Sequence, residues 1–266
     1  MHIPKSWNPP HQVTYQKAFR FYGRDTNGKY QLDVDELRSV FSLSASAAER
    51  LKLFRIERIA KIVAGDTPLP LENGPKMITH ILPTAAFTSR TVVDHNLLWR
   101  DTSSLVGLLQ SGGAPLFNVD GLLLGTRKAK VSRYVQVFRD GCVEVISDFS
   151  AEANPRASLP CPAFERTICN ELRHAKLLFQ CLGVAPPIVV MLTMTSMKGW
   201  QIATQHSGSA GTFDRDPVFI PELFLETFDG LNQDEVKPLL DIVWNAAGSP
   251  CSPNYDAQGR RKSDDA

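Results

Sequence analysis

The stretch that most constrains this chain runs from Leu116 to Ser147, apolar, then basic, then apolar again on both sides of Asp140-Gly141. Tyr134, Val135, Val137 and Phe138 precede that pair, and Val143, Val145 and Ile146 follow it. β-Branched and aromatic residues around Asp-Gly predict a hairpin, because a two-residue type I′ turn needs positive φ at both central positions and Asp and Gly accept it. Phe117, Val119 and Leu122 to Leu124 predict a third strand, joined to Tyr134 by the basic connection from Gly125 to Arg133. An antiparallel meander is the expected centre of the fold.

At 266 residues, 43% hydrophobic and 21% charged, the chain can bury a substantial core as one large or two modest domains. A net charge of +1 gives no global argument for nucleic acid or membrane, so an electrostatic partner has to be argued from a local patch. No apolar run approaches the roughly 20 residues that cross a bilayer, and Met1 to Lys5 is not a signal peptide, so the cytoplasm is the expected location. The five cysteines are widely spaced with no Cys-x-x-Cys pair, which favours reduced thiols over a disulfide framework or a zinc knuckle. Phosphate-loop, dinucleotide-fold and His-Glu-x-x-His signatures are missing from the sequence, and no cofactor or metal is expected.

In chain order, residues 1–44 are rich in aromatics and carry Asn27-Gly28, a hairpin signal, followed by a short helix from Asp33. Ser46-Ala47-Ala48-Glu49 fits a capping box for a second helix ending at Val63, with Gly65 beyond it and Pro68 forbidding continuation. On a helical projection Leu53, Ile56, Ile59, Ala60 and Val63 share one face, while Arg50, Arg55, Arg58 and Lys61 share another. Met77 to Leu82 predicts a strand, and His80 within it is expected to be structural. Thr91 to Gly113 is expected to be irregular except for a helix near Ser104 to Leu109.

Pro162 starts a long amphipathic helix that ends at Gly183. Pro187 to Met194 predicts a strand buried on both faces, continued as a hairpin by Trp200 to Ala203. Gln205 to Gly211 reads as a turn, and Val218 to Phe228 as an edge strand interrupted by Pro221. Asn232 to Ala247 predicts a helix whose start Pro238 delays, with Leu239, Leu240, Val243 and Trp244 inward. Residues 249–266 are expected to be a disordered tail. The expected domains are thus 1–44, a basic connecting helix and linker at 45–72, a C-terminal α+β domain at 73–248, and the tail.

Two basic patches carry the functional expectation. Arg55, Arg58 and Lys61 on the helix, with Arg127, Lys128 and Lys130 on the strand connection, suit phosphate contacts that position a nucleic acid without specifying its sequence. The bland reading of both patches is solvated surface. Asp120 and Glu144 are the carboxylate pair that a metal-dependent nuclease would need.

The segments Ile3-Pro4-Lys5-Ser6-Trp7, Arg20-Phe21-Tyr22-Gly23-Arg24, Asn27-Gly28-Lys29-Tyr30, Asp33-Val34-Asp35-Glu36-Leu37-Arg38 and Phe54-Arg55-Ile56-Glu57-Arg58-Ile59 resemble bacterial proteins of the schlafen AlbA_2 type. Phe117-Asn118-Val119-Asp120-Gly121 and Tyr134 to Arg139 are similar to the region that accompanies that domain in long members. The resemblance implies a DNA-binding or ATP-binding role, with relatives acting on RNA. It also implies that residues 1–44 are the closing strands of a domain whose acidic, lysine-bearing segment lies upstream. The expected fold is therefore α+β, a mostly antiparallel sheet with flanking helices preceded by an AlbA_2-like remnant. The leading functional expectation is nucleic-acid binding without catalysis. The alternative is a protein-interaction or ligand-sensing module, with self-association open to it, whose activity resides in the upstream segment. The third is a metal-dependent nuclease.

Overall fold

A computed structural model describes residues 10–26, 28–88, 91–126, 128–149, 158–203, 209–230 and 234–262. β1 (Gln12–Tyr15), β2 (Ala18–Asp25) and β3 (Gly28–Gln31) form a small antiparallel sheet, and α1 (Val34–Val63) follows. β4 (Lys76–Pro83), α2 (Ala85–Thr88), α3 (His95–Arg100) and α4 (Ser103–Leu109) come next. The meander then runs through β5 (Ala114–Phe117), β6 (Gly121–Gly125), β7 (Arg133–Phe138) and β8 (Val143–Asp148). After it come β9 (Ser158–Pro160), α5 (Cys161–Cys181), β10 (Ile188–Thr195), β11 (Gln201–Ala203) and β12 (Ser209–Thr212). β13 (Val218–Phe219), β14 (Leu223–Leu225) and α6 (Lys237–Ala246) complete the order.

The main sheet has the order β13-β10-β4-β8-β7-β6-β5, with β14 beside β13 on the outer edge of β10, and each of its pairings is antiparallel. The α+β class and the mostly antiparallel sheet with flanking helices agree with the sequence. Alternation along the strands splits the core. Met77, Ile81, Val143, Val145, Leu192 and Met194 face α4, α5 and α6, while Ile78, Leu82, Ile146 and Val189 face α1. Among the described residues no helix is long and apolar enough to cross a membrane.

α4 meets α5 so closely that a Cβ on Gly107 would fall 2.0 Å from His174 Cδ2. The imidazole has little room to yield, because its Nδ1 lies 2.8 Å from the Asn170 carbonyl. Gly107→Ala is expected to cost about 1–3 kcal/mol by overpacking, read as a lowered urea midpoint with unchanged slope.

Several local expectations are corrected. The hairpin closes through three residues rather than two. Gly141 N–H donates to the Phe138 carbonyl and Phe138 N–H to that of Cys142, and Gly141 alone takes positive φ, as in a type I turn followed by a left-handed residue. The expected third strand is itself a hairpin, β5 and β6 around Asn118, whose side-chain oxygen accepts from the Asp120 and Gly121 amides. α3 stands where irregular chain was expected, capped by Asp94. β11 does not continue β10 but joins β9 and β12 in a separate sheet.

α1 is one helix, not two. Asp33 caps it with Glu36 reaching back to the Asp33 amide, so the capping box lies thirteen residues before Ser46, and the boundary expected at residue 44 falls inside the helix. Its C-terminal end is as expected, with Gly65 at φ 76. Residues 249–262 of the expected tail are held against α5 and α6. Buried Glu165 accepts from Trp244 Nε1, Ser252 Oγ and Asn254 Nδ2, and Tyr255 packs into the core. A carboxylate taken out of water needs such donors, and the C-terminal segment supplies two of them.

Candidate interaction surface

The pairing register places chemically distinct side chains in lateral rows under α1. Thr193, Ile78 and Ile146 form one row across β10, β4 and β8, and Met191, His80 and Glu144 form the next. Glu144 is fully buried and would be costly there alone. Arg58 reaches down from α1 and binds it in two parallel bonds, Nε to Oε2 and Nη2 to Oε1, both 2.8 Å. Tyr134 Oη donates to Oε1 at 2.9 Å, and His80 Nε2 lies 3.0 Å from Oε2. Burial pushes the Glu144 carboxyl up, but the Arg58 and His80 hydrogen bonds and charges win and hold it at about 2. Burial, then the neighbouring Glu144 charge, raises the Tyr134 phenol well above its usual value. The carboxylate only accepts, so the His80 Nε2–H donates to it, and Nδ1 is buried with no partner among the described residues.

Arg55 answers a different need. Between Thr193↔Phe219 and Val190↔Leu223, three residues of the outer strand, Ile220 to Glu222, face two of β10. Pro221 has no N–H to donate in this bulge. The Arg55 guanidinium donates to the Leu192 and Ile220 carbonyls at 2.6 and 2.9 Å and to Thr193 Oγ1 at 3.0 Å. Burial lowers its pKa, partly offset by Glu222.

Arg55 and Arg58 are therefore not presented as phosphate contacts, which corrects the helical projection. The arginines point into the molecule because acceptors far along the chain meet them. Lys61, Lys128 and Lys130 are exposed, and Arg127 lies outside the described residues. Val131 packs with Ile59 and Ile62, which brings the loop carrying Lys128 and Lys130 beside the last turns of α1. Asp120 and Glu144 do not form a metal site: Asp120 is exposed in the β5–β6 turn and both Glu144 oxygens are taken. Among the described residues no cluster of His, Cys, Asp or Glu is arranged to hold a metal.

Turning the arginines inward turns apolar residues outward. Leu53, Ile56, Ala60 and Val63, at spacings of three, four and three, line the outer face of α1, with Ile56 57% and Val63 67% exposed. Phe41 and Val34 extend exposed apolar surface toward the helix start. The sheet of β1, β2 and β3 shows Tyr15 at 69% and Phe19 at 64%, with Val13, Tyr22 and Tyr30 also exposed. Phe21 does reach α1, meeting Phe41 edge to face at 6.2 Å. The sequence put Leu53, Ile56, Ala60 and Val63 on one apolar face together with Ile59, but Ile59 is buried and the others are exposed, since a projection shows periodicity and not which face is covered. Comparison with protein-family models, curated proteins and solved structures finds no match to this chain.

Proposed function

We propose that the chain is a protein-interaction module without catalysis of its own, in which α1 is bolted to the sheet by Arg55 and Arg58 and offers its outer face, with the N-terminal sheet, to a second polypeptide segment. The segment in view is of the kind that the AlbA_2 resemblance places upstream, and the activity served resides there. The observation that carries this reading is the set of large apolar side chains exposed on α1 and on β1 to β3. Large apolar side chains left exposed in number on one helix face and one small sheet mark interaction sites.

Nucleic-acid binding is the second reading, resting on Lys61, Lys128 and Lys130. Fluorescence anisotropy against labelled duplex DNA and single-stranded RNA over a salt series separates the two, using the unmodified chain and a Lys61/Lys128/Lys130→Ala variant. The interaction reading expects the same weak binding and the same salt slope for both proteins. A log-log slope that drops by roughly 0.7 to 0.9 per lysine removed would instead establish phosphate contacts.

A further inference from the structure

The face covered by α1 is open at one end. Ile62 packs over Ile78 and Ile146, and the next row across β10, β4 and β8, Thr195, Lys76 and Asp148, emerges beyond the helix. Lys76 and Thr195 line a cleft of ≈ 440 Å³, a volume in the range that holds small ligands. One wall is the last turn of α1, Ile62 and Val63, joined by Leu71; the other is Ser196 and Asp216.

The sign of its charge selects the ligand. Glu72 and Asp216 line the cleft, and among the described lining residues Lys76 is the one base. That ammonium is already engaged, donating to the Gly74 carbonyl at 2.9 Å and lying 3.8 Å from Asp148 Oδ2. Asp216 is fixed by the Ser196 amide, which donates to its Oδ1 at 2.7 Å. The carbonyl end of α1 adds about half a negative charge. Lys130, close enough to Lys76 to act on it, offsets one carboxylate but is not in the lining.

We propose that this cleft binds an organic cation, a primary amine or guanidinium held by Glu72 and Asp216 with its aliphatic stem on Ile62, Val63 and Leu71. Isothermal titration of the full chain with agmatine and with a blocked Gly-Arg-Gly peptide tests this, and distinguishes a free small cation from an arginine side chain. Glutarate is the anionic control. Saturable equimolar binding of either cation is expected, about tenfold weaker in Glu72→Gln and in Asp216→Asn, and lost in the double variant. Asn at 216 keeps an oxygen for the Ser196 amide, so that wall stays in place. In the unmodified protein, agmatine should shift the Gly74 and Ser196 amide resonances. No saturable binding of either cation, shifts confined to other residues, preference for glutarate, or undiminished binding by the double variant would each overturn the proposal.

Discussion

Arg58→Met is expected to destabilise the protein by roughly 3–5 kcal/mol at neutral pH, because it strands a carboxylate in the core rather than deleting a favourable contact alone. Glu144 has no exposed surface, and two of its four hydrogen bonds come from the Arg58 guanidinium. His80 and Tyr134 still reach the carboxylate, but the two parallel bonds and the charge of the guanidinium are gone. Adding Glu144→Gln to the Arg58→Met protein removes the stranded charge and should recover part of the loss, so the two substitutions are strongly non-additive. Urea unfolding of the four proteins of this cycle measures it. A single-variant cost below about 1 kcal/mol, the range of an exposed pair, would mean that Arg58 does not anchor α1.

The pH dependence should show two buried glutamates on opposite faces of one sheet acting in opposite senses. Glu171, on α5, is fully buried with the Thr79 and Ser147 hydroxyls donating to it at 2.7 and 3.2 Å. Burial raises its pKa to about 7 from 4.5, only partly countered by Thr79, Arg133 and Ser147. The folded state thus keeps a proton that the unfolded chain has lost. Stability falls as pH rises from about 4.5 to 7, by roughly 3 kcal/mol in all. Glu144 is the reverse, with its carboxyl held at about 2, so its stabilisation is full above about 4.5 and is lost as pH falls toward 2. Glu171→Gln should flatten the fall between pH 5 and 8 and leave the protein more stable than the parent at pH 8, by about 2–3 kcal/mol. Equal slopes in parent and variant would place the titration elsewhere.

Much of the framework was legible because the signals were local. β-Branched runs marked β7, β8 and β10, Pro162 and Gly183 bounded α5, and Pro238 set the late start of α6. The polar cluster under α1 was not legible, because it is assembled by strand register. His80, Glu144 and Met191 become neighbours only once β4, β8 and β10 pair. Arg55 illustrates the same point: its acceptors are two carbonyls at a bulge and the Thr193 hydroxyl, all more than 130 residues away. Ser46 had as good a capping pattern as Asp33, but Ala47 and Leu51 are buried against the sheet and keep the helix unbroken through it.

The most direct test of the interaction face is site-specific photo-cross-linking in cells, with a photoreactive residue in place of Ile56, of Phe19, or of Arg173, which is exposed on α5. Polypeptide adducts concentrated at positions 56 and 19, with position 173 silent, are the result expected if α1 and the N-terminal sheet form one docking face. Equal adduct yields at all three positions, or none at 56 and 19, would contradict it.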